Sequence, residues 1–512
     1  MMRKPAGSIA LFVLAGALAV PAAAQATAVG RAQAATAAAI ARIQRIDPQL
    51  HSVIAVDPTA MVQAQRIDAS GLPGPLAGQP VLLKDNIEAA GPLPTTAGSL
   101  ALAANVTNRD APLVARLRAA GAVILGKTNL SEWANIRSTH SISGWSAVGG
   151  QTHNPYALDR NTCGSSSGSA AAVAAGLVRF AIGTETDGSV TCPASLNGIV
   201  GLKPTVGLVS RTFIVPISHS QDTAGPMTDN VRDAAELLTV IAGSDPADPA
   251  TRDADRHKTN YAAGLDAGAF HGKRIGVLRF ASSPTLDPAF NTALAVLRAQ
   301  GAILIDIKTL DQKGLGDNEN VVLQTELKAD MAKYLKSSPA PIASRTLSDL
   351  IAFDKAHERQ EMGLFGQEYF EQSEKTKGLS DPKYKKARAA SFQAAGPNGI
   401  DRLLRQHNVL ALVAPTAGPA WHIDAANRDL YTEGGAGNLA AIAGYPHLTV
   451  PMALVRGLPV GLSFMGPKWS EARLLSLGYA FEQARGPFPA PKFYRSIETD
   501  DPQIVPLLQP QR

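Results

Sequence analysis

Apolar and polar positions alternate in blocks along the chain, and the blocks predict a regular succession of helices and strands. Apolar residues recur at helical spacing from 35 to 50, and a short apolar run at 80–83 predicts a buried strand that ends at Lys84. A helix from 111 to 120 and a strand from 122 to 125 come next. This alternation is typical of an α/β fold, in which helices flank a large mixed and mostly parallel β-sheet.

A polar segment rich in glycine and serine interrupts this rhythm between residues 138 and 169. An alanine-rich helix is predicted after it at 170–177, and an apolar run at 178–182 predicts the next strand. Long polar loops held between buried elements are where catalytic and binding side chains usually lie. We therefore expect the chemistry of this chain in or beside this loop.

The second half of the chain changes in composition. Residues 272–307 still predict a strand, a helix and a strand, whereas residues 318–398 are charged and predict mainly helices. We interpret the helical segment as an insertion that covers one side of a single domain, 25–512, although an independent domain fits its composition equally well. Three further strands and a final helix are predicted at 409–415, 447–455, 459–465 and 471–483.

The first residues have the pattern of a secretory signal peptide. Arg3 and Lys4 precede an apolar stretch from 9 to 20, and small residues at 21–24 predict cleavage after Ala24. A membrane anchor is the alternative, but the stretch is too short to cross a bilayer. We expect a secreted protein, periplasmic or extracellular, with no membrane span after the signal peptide is removed.

Charge and composition exclude several classes of partner. The formal net charge is +5, and it falls to +3 when residues 1–24 are removed, which gives no reason to expect nucleic acid or an anionic membrane as partner. A chain with 45% hydrophobic and 18% charged residues is typical of a globular protein. Its two cysteines, Cys163 and Cys192, cannot form a disulfide framework, and a single bond between them stays open.

The first serine cluster is Cys-Gly-Ser-Ser-Ser-Gly-Ser at 163–169. Alone it has three interpretations: a flexible loop, an anion-binding helix start or a loop that carries a nucleophile. It also matches the G-x-S-x-G pattern, which would make Ser166 the nucleophile of an α/β-hydrolase. That pattern requires a strand directly before it, and the preceding residues are polar and turn-like.

The second serine cluster is Gly-Thr-Glu-Thr-Asp-Gly-Ser at 183–189, directly after an apolar run. A tight turn that presents backbone N–H groups beside a serine is what stabilisation of an oxyanion requires, although a plain turn gives the same pattern. Ser165 and Ser189 are 24 residues apart, and Gly-Leu-Lys-Pro-Thr follows at 201–205. The two clusters together are far more specific than either alone.

These segments, with Lys-Asp-Asn-Ile at 84–87, resemble the serine loops, the G-L-K-P-T segment and the upstream lysine of the amidase-signature family. The resemblance covers most of 30–245 and 405–485, so it implies the amidase-signature fold. It further implies a catalytic triad and an oxyanion hole. In the triad, Lys84 is the base, Ser165 the bridging serine after a cis peptide bond, and Ser189 the nucleophile. The oxyanion hole consists of the backbone N–H groups of Thr186, Asp187 and Gly188.

The sequence also departs from the family pattern. Cys163 and Ser167 replace glycines, Glu185 replaces an aspartate, and Asp187 stands where a glycine is expected. These variants, with Ser-Gly-Trp-Ser-Ala-Val-Gly-Gly at 143–150 and the signal peptide, resemble bacterial peptide amidases, which hydrolyse C-terminal carboxamides of peptides. Aryl, aliphatic and cyclic amides remain alternative substrates.

Two other functions remain open. One is an esterase that uses Ser166 with a histidine such as His447, and the other is an inactive binding protein that keeps the fold. The ten histidines show no zinc-binding spacing, so we expect no metal and no cofactor. The expected partner is a small-molecule or peptide amide, and a monomer is favoured.

Overall fold

The computed structural model describes residues 1–2, 30–71, 74–431 and 434–509. The predicted signal peptide therefore lies almost entirely outside the described residues, and the cleavage site lies wholly outside them.

Eleven of the described strands form one sheet and two short ones form a hairpin. The sheet order is β1-β3-β2-β6-β8-β7-β12-β13-β11-β9-β10, and the hairpin is β4-β5. The strands in chain order are β1 Val53–Val56, β2 Pro80–Lys84, β3 Val123–Thr128, β4 Trp145–Ser146, β5 Gly150–Gln151, β6 Phe180–Glu185, β7 Val200–Lys203, β8 Thr223–Thr228, β9 Arg274–Leu278, β10 Ile303–Ile307, β11 Ala411–Pro415, β12 His447–Val455 and β13 Leu458–Met465.

Helices lie against both faces of the sheet. None of the described helices has the length and apolarity needed to span a bilayer. The α-helices are α1 Arg31–Ile46, α2 Ala60–Ser70, α3 Pro112–Ala119, α4 Ser167–Ala174, α5 Thr191–Leu196, α6 Val231–Ile241, α7 Ala254–His257, α8 Asp287–Ala299, α9 Leu315–Ser337, α10 Leu347–Ala356, α11 Glu358–Glu361, α12 Glu368–Glu374, α13 Pro382–Ala395, α14 Asp401–His407, α15 Gly437–Ala443, α16 Glu471–Arg485 and α17 Ile497–Asp500.

The predicted class, a large mixed sheet flanked by helices, is confirmed. Parallel pairing is found where the sequence shows the βα rhythm, in β3-β2-β6 and in β11-β9-β10. The strands between these groups pair antiparallel, as does β1 with β3, so parallel pairs are four of ten. Of these antiparallel pairs, β12 and β13 form a hairpin, in which a short turn returns the chain in the opposite direction.

The apolar runs become strands because both faces of the sheet are buried. In β2, Val81 and Leu83 belong to the hydrophobic cluster on one face, and Leu82 belongs to the cluster on the other face. A strand covered on both sides cannot alternate with polar residues, which explains its continuous apolar sequence. The last residue of this strand, Lys84, is consequently also buried.

The helical segment from α9 to α14 packs on the main body of the chain. Leu327, Met331 and Phe370 share a buried cluster with Trp133 and Val215, which lie in loops of the main body. The larger buried clusters of the segment are therefore shared with the main body, and a small one, Val322 with Tyr384 and Ala387, lies within the segment itself. This packing places the N-terminal half of α9 close to the serine loops.

Glycine at position 225 is required by the packing of β8 against β7. A Cβ atom at Gly225 would lie 1.9 Å from the carbonyl oxygen of Leu202. We expect Gly225→Ala to lower the free energy of unfolding by about 1–3 kcal/mol, because the two strands must move apart. Urea titration measures this change.

Gly316→Ala is the control, because a Cβ at that helical position meets nothing within 4 Å. It should leave stability unchanged or raise it slightly, since alanine favours helix more than glycine does. Equal stability of the two variants would contradict the proposed clash.

Candidate active site

Lys84 ends β2 in the interior of the protein, and its side chain is fully buried. Its Nζ donates hydrogen bonds to Ser165 Oγ at 2.7 Å, to Thr184 Oγ1 at 2.8 Å and to the Thr184 carbonyl oxygen at 3.1 Å. Thr184 lies on the neighbouring strand β6, and its hydroxyl also accepts a hydrogen bond from Asn86. The amine is therefore held by hydroxyl and carbonyl groups and by no hydrogen-bonded carboxylate.

Burial lowers the pKa of Lys84 from 10.5 to about 7. The negative charges of Asp222 and Glu185 oppose this shift but do not cancel it. An amine is normally protonated at neutral pH and cannot act as a base. Here a substantial fraction of Lys84 is neutral near pH 7, as a base requires.

Ser165 follows a cis peptide bond from Gly164 and is fully buried. Its carbonyl oxygen accepts a hydrogen bond from the Ser131 N–H at 3.1 Å. A Cβ at Gly164 would lie 2.1 Å from Ser131 Oγ, so this close approach requires glycine. These contacts fix the hydroxyl of Ser165 against Lys84.

Ser189 lies in the second serine loop, which is hydrogen-bonded to the first. The N–H of Ser166 donates to the Ser189 carbonyl oxygen at 3.1 Å. Ser189 lines a cavity of about 510 Å³, and its Oγ forms no hydrogen bond to any residue that the structure describes. The structure thus brings both serine loops and Lys84 together, with the hydroxyl of Ser189 free to face a substrate.

The loop Thr186–Gly188 presents free backbone N–H groups at the cavity. Within the described part of the chain, these three N–H groups have no hydrogen-bond acceptor. Gly188 has a φ of 75°, which favours glycine, and a Cβ there would meet nothing within 4 Å. Such unpaired donors beside a serine can stabilise an oxyanion.

Hydrogen bonds to the side chains of Glu185 and Asp222 hold the loop Thr186–Gly188 and the residues that follow it. Glu185 accepts hydrogen bonds from the N–H groups of Val190 and Thr191 at 2.8 and 2.9 Å. The hydroxyl of Thr186 donates to Asp222 at 2.6 Å. Glu185, which replaces an aspartate of the family pattern, therefore caps the N–H groups of Val190 and Thr191.

A disulfide bond joins Cys163 and Cys192, with their Cα atoms 6.0 Å apart. One cysteine lies two residues before Ser165 and the other lies three residues after Ser189. This bond, which the sequence left open, therefore links the two serine loops covalently.

The cavity has few charged groups in its wall. Among the described residues that line it, the ionisable side chains are Asp187, Tyr431 and His447, and none is lysine or arginine. Burial and the charge of Lys203 lower the pKa of His447 to about 3, so this histidine is neutral. The remaining wall is formed by backbone groups and uncharged side chains, both apolar ones such as Ile217 and Leu323 and polar ones such as Asn135 and Gln312.

A loop in left-handed backbone conformation also lines the cavity. Trp133, Ala134 and Asn135 have φ values of 49°, 54° and 71°, an uncommon run for residues other than glycine. The carbonyl oxygen of Ala97 accepts the Trp133 N–H at 2.8 Å, and Glu132 accepts the Ala147 N–H at 2.9 Å. The loop is therefore held by its neighbours.

The geometry does not support Ser166 as a nucleophile. Ser166 is fully buried at the start of α4, and its hydroxyl donates to the Thr184 carbonyl oxygen at 3.1 Å. No strand directly precedes it. His447 lies in β12, where Nε2 is hydrogen-bonded to Ser463 Oγ at 2.6 Å. The structure thus does not bring Ser166 and His447 together as a hydrogen-bonded pair.

Some residues at the site were not recognised from the sequence. Asn86 lies in the Lys-Asp-Asn-Ile segment and Thr184 in the second serine cluster, so the sequence contained a hint that they lie beside Lys84. Gln221 lies in a segment that resembles the family, whereas Glu319 and Asn135 carried no motif signal.

Comparison with known proteins agrees with this fold. A family model described as Amidase matches residues 34–475. The class is therefore that of hydrolases that act on amide C–N bonds. The chain belongs to the amidase family, whose amidase-signature loops its two serine clusters resemble.

Three relatives illustrate the similarity. The chain is 50% identical to the peptide amidase from Stenotrophomonas maltophilia, with a TM-score of 0.86 over 92% of this chain and 97% of that one. An amidase family protein from Bacillus anthracis is 33% identical, with a TM-score of 0.82 over 90% and 89% of the two chains. A probable amidase of Arabidopsis thaliana is 41% identical over 468 residues, which are 88% of this chain and 86% of the relative.

We expect the disulfide to contribute to stability. The bond closes a loop between residues 29 positions apart, so replacing both Cys163 and Cys192 by serine should lower the free energy of unfolding by roughly 3–4 kcal/mol. Urea titration of the parent and the double variant measures the difference. Adding a thiol reductant should destabilise the parent and leave the double variant unchanged. A double variant as stable as the parent would show that the bond does not stabilise the fold.

Proposed function

We propose that this amidase hydrolyses the C-terminal carboxamide of peptides and releases ammonia, with Lys84, Ser165 and Ser189 as its catalytic triad. The observation that carries the proposal is the fully buried Lys84 bonded to Ser165, in a loop hydrogen-bonded to that of Ser189. Burial of a charged lysine without a carboxylate partner is costly, so the neutral amine, which can act as a base, is favoured.

The hydrogen bonds of Lys84 are compatible with a neutral amine. A neutral amine has two N–H groups, which can donate to the hydroxyl and the carbonyl oxygen of Thr184. Its lone pair is then directed to Ser165 and can accept the proton of that hydroxyl. In the proposed route Ser165 then accepts a proton from Ser189, whose loop is hydrogen-bonded to its own.

The reaction proceeds through an acyl-enzyme. Ser189 Oγ attacks the carboxamide carbon while its proton passes to Ser165, which transfers its own proton to Lys84. The N–H groups of Thr186, Asp187 and Gly188 stabilise the negative oxygen that forms. Lys84 returns a proton through Ser165 to the leaving nitrogen, and the C–N bond breaks to give ammonia and an ester on Ser189. Water then hydrolyses this ester by the same proton route in reverse.

The wall of the cavity supports a neutral end group on the substrate. A peptide with a free carboxylate would need a cationic partner, and no lysine or arginine lines the described wall. An amide has no charge and finds hydrogen-bond donors in the N–H groups of the oxyanion loop. The similarity to a peptide amidase supports the same substrate class.

We further propose that the enzyme acts outside the cytoplasm. The N-terminal sequence has the pattern of a signal peptide, and a disulfide persists in an oxidising compartment.

Ammonia release from an N-blocked dipeptide amide tests the proposed function. The parent should release ammonia, and Ser189→Ala and Lys84→Ala should lower kcat roughly 10⁴-fold or more, because the nucleophile or its base is lost. Ser166→Ala should keep measurable activity, since its hydroxyl is not part of the proton route. Activity that survives in Ser189→Ala and disappears in Ser166→Ala would contradict the mechanism.

The pH dependence of kcat/KM should follow the ionisation of Lys84. Because the neutral amine is the active form, kcat/KM should rise as pH increases through about 7, the pKa of the buried Lys84. Asp222→Asn removes a negative charge that raises this pKa, so the rise should move to lower pH. A rise centred near pH 10, the ordinary range of lysine, would show that Lys84 is not the base.

A further inference from the structure

Glu319 connects the helical segment to the oxyanion loop. It lies on α9, in the segment whose sequence shows little of the family pattern. Its Oε1 accepts a hydrogen bond from Gln221 Nε2 at 2.8 Å, and the same Nε2 lies 3.3 Å from the carbonyl oxygen of Thr186. The carboxyl groups of Glu319 and Asp187 also lie close enough for each to shift the pKa of the other. One side chain of α9 thus contacts two groups that hold the loop Thr186–Gly188.

A hydrogen bond between two carboxyl groups requires one proton. Burial and the neighbouring acids Glu319 and Glu185 raise the pKa of Asp187 well above its usual range, whereas the charge of Lys203 opposes this effect. Burial also raises the pKa of Glu319. Tyr369, on α12, is a further ionisable group near Glu319. Both shifts favour one shared proton on the pair over two ionised carboxylates.

The position of Asp187 makes this proton important. Asp187 lines the cavity, and its backbone N–H belongs to the proposed oxyanion hole. Two ionised carboxylates here would repel each other and would also disfavour negative charge on the substrate oxygen. With one proton on the pair, Glu319 holds Asp187 by a hydrogen bond.

We propose that Glu319 is a positioning residue for the oxyanion loop. Through Gln221, which contacts the Thr186 carbonyl oxygen, and through Asp187, it keeps the N–H groups of Thr186, Asp187 and Gly188 directed at the substrate carbonyl. This inference rests on the proposed function, because it assigns Glu319 to the same site and reaction. It gives the helical segment a part in catalysis that the family motifs do not contain.

The pH dependence of kcat separates positioning from a merely structural contribution. In the parent, kcat should fall at alkaline pH as the pair loses its proton and two negative charges meet at the loop. In Glu319→Gln the amide can still donate to Asp187 and accept from Gln221, so kcat at neutral pH should be within a few-fold of the parent. The alkaline decrease should be absent, since that pair cannot acquire a second charge.

Two further variants complete the test. Glu319→Ala removes both hydrogen bonds and should lower kcat about 10- to 100-fold, less than or similar to the loss of one oxyanion donor. Asp187→Gly should make Glu319→Ala less harmful, because the carboxylate that needs a partner is absent. Glu326→Gln is the matched control on the same helix, since Glu326 is buried and bonded to Ser220 and Tyr384 instead. It should keep the alkaline decrease of the parent.

An infrared band of a protonated carboxyl group gives a readout without turnover. The difference spectrum of the parent minus the variant should show this band at neutral pH for both Glu319→Gln and Asp187→Gly, because other buried carboxyl groups absorb equally in parent and variant. The same alkaline decrease of kcat in the parent and in Glu319→Gln would overturn the inference, as would an unchanged band in both variants.

The choice of substrate separates this inference from the proposed function. If the parent hydrolyses an aryl amide but releases no ammonia from peptide amides, the peptide-amide assignment fails. The comparison of Glu319 variants is then made with the aryl amide, since the oxyanion loop acts on any acyl carbonyl.

Discussion

The desolvation of Lys84 is the constraint on which the rest of the site depends. A strand buried on both faces carries the amine into the interior, where a positive charge without a carboxylate partner is unfavourable. The neighbouring strand supplies Thr184, whose two oxygens satisfy the two N–H groups of a neutral amine. Only Ser165 remains to complete the set, so the same packing that lowers the pKa of Lys84 also decides which hydroxyl it contacts.

The two serine loops then behave as one structural unit. The backbone bond between Ser166 and Ser189, the disulfide and the capping carboxylate of Glu185 all join or stiffen them. These three links use different chemistry, so the loss of one leaves the others in place. The N–H groups of the second loop stay unpaired because the loop is held through its side chains and carbonyl oxygens.

Much of this arrangement could be predicted from the sequence, since motifs and apolar runs report on local structure. The end of β2 at Lys84, the strand His447–Val455 and the proximity of the two serine loops all followed from short segments. The sheet order could not be predicted, because nothing local shows that β12 lies between β7 and β13. Glu319 was missed for the same reason: its partner Asp187 is distant in sequence, and a lone acidic residue on a charged helix carries no signal. Ser166 matched the G-x-S-x-G pattern in sequence. That pattern could not show that His447 is hydrogen-bonded to Ser463 instead.

Helix α9 contributes to two properties of the enzyme at once. Leu323 lines the cavity proposed to receive the substrate, while Glu319, one turn earlier, is linked through Gln221 to the loop beside Ser189, the proposed nucleophile. If these proposals hold, changes in this helix affect both substrate range and turnover. An engineer who exchanged the helical segment for that of another family member to accept a different amide would also exchange the support of the oxyanion loop. Libraries directed at new substrates should accordingly vary Leu323 and leave the helix itself in place.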